Sequence, residues 1–179
     1  MRAEDPSAAS LALVAGVALA EVMQSYAPAA PFQLKWPNDV LVNGAKLAGI
    51  LLEREGDAVV IGVGANLAHH PDLPDRPAIC LAALGVAPPP PAQVMADLSA
   101  QFGQWFTKWR TQGLPNIIAA WLARAHRIGT PLSVESGGES GNPTRLNGTF
   151  TGLDPTGALI LRLADGTNSV IHAGDVFLL

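Results

Sequence analysis

Asn43-Gly44 stands between two apolar runs, Asp39 to Val42 and Lys46 to Glu53, and this pair constrains the fold more than any other feature. Both residues tolerate the positive φ that a two-residue hairpin turn needs, so the runs are expected to pair as antiparallel strands. Phe32 to Trp36 precedes them as a short strand, and Gly56-Asp57 turns the chain into a further apolar strand, Ala58 to Ala65. The expected product is a meander of adjacent antiparallel strands. Two lysines, Lys35 and Lys46, lie in this otherwise apolar stretch. A half-buried ammonium is costly unless an anion meets it. The segment therefore points to a pocket for a carboxylate or phosphate as well as to a strand pair. On the strands alone a blander reading stays open, in which both lysine stems cover apolar surface and their heads reach water.

Leu11 to Ala20 is an apolar run. It is too short to span a bilayer, it lacks a basic leader because Glu4 and Asp5 precede it, and Glu21 closes it. Leu11, Val14, Ala18 and Val22 fall at helical spacing, and Asp5-Pro6 and Ser7 supply start chemistry. A buried helix from about residue 7 to 25 is expected, with no membrane partner. Residues 68 to 91 read as irregular; His69-His70 lacks further ligands nearby and reads as a solvated loop, and Pro88 to Pro91 as a stiff connector. A helix over 92–112 carries Leu98, Phe102, Trp105, Phe106 and Trp109 as a core stripe. Gly113-Leu114-Pro115 ends it, and Asn116 to His126 is expected as another helix, with Ile117, Ile118, Trp121 and Leu122 inward.

After Gly129 the character changes. Pro131 to Glu135, Leu146 to Leu153, Ala158 to Leu163 and Ser169 to Leu179 read as short strands. Gly137-Gly138, Asn142-Pro143, Asp154-Pro155-Thr156-Gly157 and Asp165-Gly166 separate them. Such strands and turns suggest a small barrel or sandwich. The expected division is therefore residues 1–128 and 129–179. The chain's 179 residues, 49% hydrophobic and 15% charged, suit a packed core. A net charge of −4 implies no general nucleic-acid affinity. The lone Cys80 excludes an internal disulfide and a cysteine zinc cluster, and a reducing, cytoplasmic setting is the simple reading. There is no P-loop and no nucleophile elbow, and Gly62-Val63-Gly64 lacks the third glycine of a dinucleotide fingerprint.

Three pieces occur in order at short spacing: Lys35-Trp36-Pro37-Asn38-Asp39, then Lys46 through Glu53, then Ile61 through Leu67. Together they resemble the biotin protein ligases. Helix one resembles the helix that precedes the first motif in that family, and the tail after Gly129 resembles its small C-terminal domain. The resemblance implies an α+β fold: a mostly antiparallel sheet with packed helices, of class II synthetase type, plus an SH3-like β-barrel. It implies ATP-dependent activation of biotin to biotinyl-5′-AMP, with Mg2+ present. Transfer to a lysine of the biotin carboxyl carrier protein of acetyl-CoA carboxylase would follow. By resemblance Lys46 is the catalytic lysine, beside the biotin carboxylate and the AMP phosphate. Gly49 corresponds to a position where backbone meets the biotin ring system, and Asn66 to one near adenosine. Lys35, Asn38 and Asp39 line the same site, and Asp39 is expected to help place magnesium or a lysine. Trp36 and Pro37 read as a packed corner that aims Asn38 and Asp39.

The chain also departs from the family pattern. A Gly-Arg-Gly-Arg-x-Gly-Arg loop and its flanking strands, which precede helix one in the family, are not in this sequence, and neither is a helix-turn-helix. The expectations are a truncated ligase core with an unpaired sheet edge, no DNA partner, and a homodimer as an assembly it allows. A non-catalytic remnant that binds a carrier, or a relative of the lipoate ligases, is the alternative.

Overall fold

The computed structural model describes residues 1–2, 4–72, 74, 76–137 and 143–179. The meander forms as expected: β1 (Phe32–Lys35), β2 (Asp39–Val42), β3 (Ala45–Glu55) and β4 (Ala58–Ala65) make one antiparallel sheet in sequence order. Asn43 at φ 49° and Gly44 at φ 79° make the turn, with Val42 opposite Ala45. Helix α1 (Leu11–Tyr26) crosses the inner face of this sheet, and every residue from Leu11 to Ala20 is buried. At Gly16 an added Cβ would come into ordinary contact with Leu34, Ile50 and Trp121. A 3₁₀ turn at Ala8–Ser10 extends the helical unit to 19 residues of mean hydropathy 1.5. That is long and apolar enough to cross a membrane by length and composition, which corrects the estimate from the shorter run. Here the segment is the central core helix.

Helices α2 (Pro91–Gln112) and α3 (Pro115–Leu122) pack against α1. The aromatic stripe on α2 is only partly core. Trp109 is fully buried and donates to Ser10 Oγ at 2.8 Å, whereas Phe102, Trp105 and Phe106 are half-buried. Trp105 keeps its indole N–H at the surface boundary, donating to Glu21 at 2.7 Å. Helix α3 ends at Leu122, short of the expected His126. The reason lies on the β1 edge: Leu34 N–H donates to Arg124 C=O at 2.8 Å, and Ala125 bridges Leu34 in parallel. The chain leaves the helix to satisfy backbone groups that the edge strand would otherwise bury unpaired.

The second sheet contains β5 (Pro131–Gly137), β6 (Pro143–Leu153), β7 (Leu159–Arg162), β8 (Asn168–Ile171) and β9 (Asp175–Leu178), in the order β8-β7-β6-β5-β9. The expected last segment, Ser169 to Leu179, is thus two strands. Gly174 breaks it at φ 156°, where a Cβ would lie 2.7 Å from Glu135 O, and β9 then pairs with β5. Among the described residues no β8–β9 pairing closes this sheet into a barrel. The turns expected at Gly137-Gly138 and Asn142-Pro143 fall on residues 138–142, outside the described residues. Buried residues of both sheets belong to one apolar cluster. Trp36 joins them directly, its indole N–H donating to Gly157 O at 3.1 Å.

Candidate functional site

A single irregularity in β3 builds the site. Asp39 pairs with Gly49 and Val40 with Ala48, but Leu41 then pairs with Lys46, leaving Leu47 as the extra residue of a β-bulge. On a regular strand, residues three apart face opposite sides of the sheet. The bulge shifts that phase. Leu47 turns fully into the core, and Lys46 emerges on the face that carries Gly49 and Asp39. There Lys46 Nζ lies 2.5 Å from Asp39 Oδ1, and Lys35 Nζ lies 3.5 Å from Asp39 Oδ2. Asp39 Oδ1 is shielded from solvent, and the ammonium approaches off the hydrogen-bonding direction, so the contact is an ion pair. The side chain of Asp39 is 12% exposed and that of Lys46 45% exposed. One carboxylate thus steadies two ammonium groups and leaves one net positive charge facing outward.

Gly49 sits directly beneath this pair. A Cβ at Gly49 would lie 2.9 Å from Lys46 Nζ and 3.3 Å from Asp39 Oδ1. Across the ladder Gly49 pairs with Gly64, where a Cβ would meet nothing within 4 Å. Bare backbone therefore floors the space beside the Lys46 ammonium. The family resemblance ties Gly49 to ligand contact; the packing gives a second reason for glycine, room for the lysine.

The two asparagines act on backbone. Asn38 Nδ2 donates to Ile50 O at 2.6 Å while Ile50 N–H donates to Asn38 O at 3.0 Å, which locks the Pro-Asn-Asp corner onto β3. Asn66 Nδ2 donates to Ile79 O at 3.0 Å and Lys46 O at 3.3 Å. Lys46 N–H donates to Pro77 O at 2.8 Å, and Ile79 N–H to Lys46 O at 3.0 Å. Residues 76–79 thereby form a strap along Lys46.

Two clefts meet at Lys46. One, about 420 Å³, lies between β2, the strap and β9, and includes Lys35, Asn38, Asp39 and Asp175. The other, about 530 Å³, lies over Gly49, Gly64 and Asn66. Lys46 and Arg76 line both. The six expected residues, Lys35, Asn38, Asp39, Lys46, Gly49 and Asn66, are thus brought together around these clefts. Arg76 was missed, because an arginine in a proline-rich irregular stretch carries no local signal of where the stretch folds. His126 lies behind the site. Its Nε2 is buried with no partner, and burial first, then the nearby Lys35 charge, hold its pKa below the usual histidine value.

The residues present do not fit a protein-held magnesium. Asp39 is occupied by two ammonium groups, and no cluster of three metal-ligating side chains occurs among the described residues. His70 instead faces Cys80, Nδ1 to Sγ 3.4 Å.

Residues 3–66 match the Biotin/lipoate A/B protein ligase family, and residues 139–179 the biotin protein ligase C-terminal domain. A biotin–[acetyl-CoA-carboxylase] ligase of Paracoccus denitrificans is 38% identical over 96% of this chain and 73% of its own length. The enzyme of the same name from Mycobacterium tuberculosis is 37% identical over 93% of this chain, which spans 61% of that relative. Among solved structures, a biotin protein ligase from Aquifex aeolicus in complex with biotin and ATP shares the fold. Its TM-score is 0.83 at 20% identity, over 98% of this chain and 74% of that one.

Proposed function

The chain belongs to the biotin protein ligase family, and from that premise we propose that it activates biotin with ATP and biotinylates a carrier lysine. The carrier is the biotin carboxyl carrier protein of acetyl-CoA carboxylase. In the first step a biotin carboxylate oxygen bonds to the α-phosphorus of ATP, and the bond to the bridging oxygen breaks to release pyrophosphate. In the second step the neutral amine of the carrier lysine attacks the acyl carbon of biotinyl-5′-AMP. The acyl–phosphate bond breaks, AMP leaves, and the amine's proton passes to solvent.

The obstacle in the first step is that two anions must meet. A fixed ammonium between them supplies roughly 4 kcal/mol at about 4 Å and an effective dielectric of about 20. The observation that carries the reading is the setting of Lys46. Its ammonium stands at the junction of two clefts, held by Asp39 at 2.5 Å, over a floor with no side chain. Asp39 restricts the lysine's rotamers before substrate arrives, and Lys35 shares the Asp39 charge so that these three groups keep one net positive charge. Asn38 and Asn66 hold the backbone on either side of that amine. In the same reading residues 1–128 carry the chemistry, and residues 129–179 add a wall through β9.

The test is transfer of biotin to a carrier domain in the presence of Mg-ATP, detected by streptavidin. Lys46→Ala is expected to cut the rate by ~10²-fold or more, the usual effect of losing one preorganised charge-stabilising donor. Equal transfer by wild type and Lys46→Ala refutes the assignment.

A further inference from the structure

We propose that Arg76 is a second cation of the site, directed at the pyrophosphate portion of ATP and carried there by the strap of residues 76–79. The proposal deepens the ligase reading and rests on it. Three observations support it. First, Arg76 and Lys46 line both clefts, although thirty residues separate them in sequence. Second, the strap is built, not draped. Lys46 exchanges backbone hydrogen bonds with Pro77 and Ile79, and Asn66 clamps Ile79 and Lys46 with one amide. The register of the strap therefore fixes where Arg76 emerges relative to the Lys46 ammonium. Third, the charges around Asp39 fall short. Lys35 and Lys46 share one carboxylate, so those three groups offer a single net positive charge. A nucleotide triphosphate brings several negative charges.

A guanidinium suits the remainder. It stays charged at every working pH and presents paired N–H donors that match two phosphate oxygens. Lys46 lies where carboxylate and α-phosphate converge. Arg76 is exposed and lines both clefts, so its guanidinium is open to the part of the nucleotide that projects beyond that centre. Arg76 would then hold the nucleotide before reaction and the leaving pyrophosphate after it.

The experiment compares wild type, Arg76→Ala and Arg76→Lys, with ATP and AMP titrated into each protein by calorimetry and biotin-dependent ATP–pyrophosphate exchange run in parallel. Arg76→Ala is expected to weaken ATP about tenfold, the lower range for a hydrogen bond to a charged group. AMP affinity and the KM for biotin should change less than about twofold, because neither involves the outer phosphates. Arg76→Lys should fall between, keeping the charge and losing the paired donors. ATP affinity unchanged in Arg76→Ala overturns the proposal. So does an equal loss for ATP and AMP, which would mark a distorted strap, or no ATP binding by wild type. Absence of exchange in a wild type that binds ATP would instead refute the ligase reading, while the binding comparison would still decide Arg76.

Discussion

Replacing Gly49 by alanine should separate activity from stability. The added Cβ would stand 2.9 Å from Lys46 Nζ and 3.0 Å from its Cε, and ordinary contact begins near 3.4 Å. The lysine tip must therefore retreat by about 0.5 Å, and Asp39 Oδ1 at 3.3 Å blocks one direction of retreat. The fold tolerates this easily. The lysine end is flexible and half-exposed, and a partly exposed ion pair contributes only about 0–1 kcal/mol. Alanine in a strand recovers a similar amount, roughly 0.5–1 kcal/mol, by restricting the unfolded chain. Stability should stay within about 1 kcal/mol of wild type. Catalysis is less forgiving, since a 1 Å misplacement of a reacting group can cost ~10²-fold, so a shift of half that size should cost about tenfold. The assay is biotin-dependent exchange beside urea denaturation, for Gly49→Ala, Lys46→Ala and the double variant. If Gly49 acts by making room for the amine, the double variant is no slower than Lys46→Ala. Multiplicative losses in the double variant would refute this account and favour direct contact between the Gly49 backbone and ligand. Wild-type rate in Gly49→Ala would refute both.

Two further outcomes test the frame around the site. His126 has a lowered pKa in the folded state; folding therefore favours its neutral form. Its contribution is fully present above the unfolded value of about 6.5 and is lost as pH falls through the interval down to the folded pKa. Relative to wild type, His126→Gln should gain stability on acidification across that interval; parallel pH profiles from urea melts would contradict the assignment. Trp36→Phe removes the N–H that Gly157 O accepts at 3.1 Å, in a side chain only 5% exposed. The loss of that bond and the space left by the smaller ring should cost about 1–3 kcal/mol, read from the urea midpoint. A change below about 0.5 kcal/mol would show that the two sheets are joined without this bond.

Much of the core was legible because its signals are local. Asn43-Gly44 sets its turn by its own dihedrals, and the spacing of Leu11, Val14, Ala18 and Val22 marks a helix, although burial of every residue from Leu11 to Ala20 goes beyond the one face that spacing picks out. The site residues were legible as a set through the ordered motifs, but their roles were not. Nothing local in Lys46-Leu47-Ala48-Gly49 says that Leu47 is the bulged residue, because its pairing depends on β2. Asn38 and Asn66 read as ligand-facing polar groups, whereas both spend their amides on backbone carbonyls supplied by distant residues. Arg76 joins the site only through the strap, a tertiary contact. The end of α3 and the split between β8 and β9 were missed for the same reason: an edge strand at Leu34 and a carbonyl at Glu135 decide them.

The bulged residue has a consequence for how this segment tolerates change. Deleting Leu47 would leave a chain with nearly the same composition and an unbroken ladder. In that ladder Lys46 and Gly49 stand two residues apart and stay on one side of the pleat, with Leu41 still opposite Lys46. What would be lost is the fully buried Leu47 side chain behind them, and with it the extra twist that a bulge imposes. The additional residue therefore serves the interior, anchoring hydrocarbon behind the amine without deciding which way the amine faces.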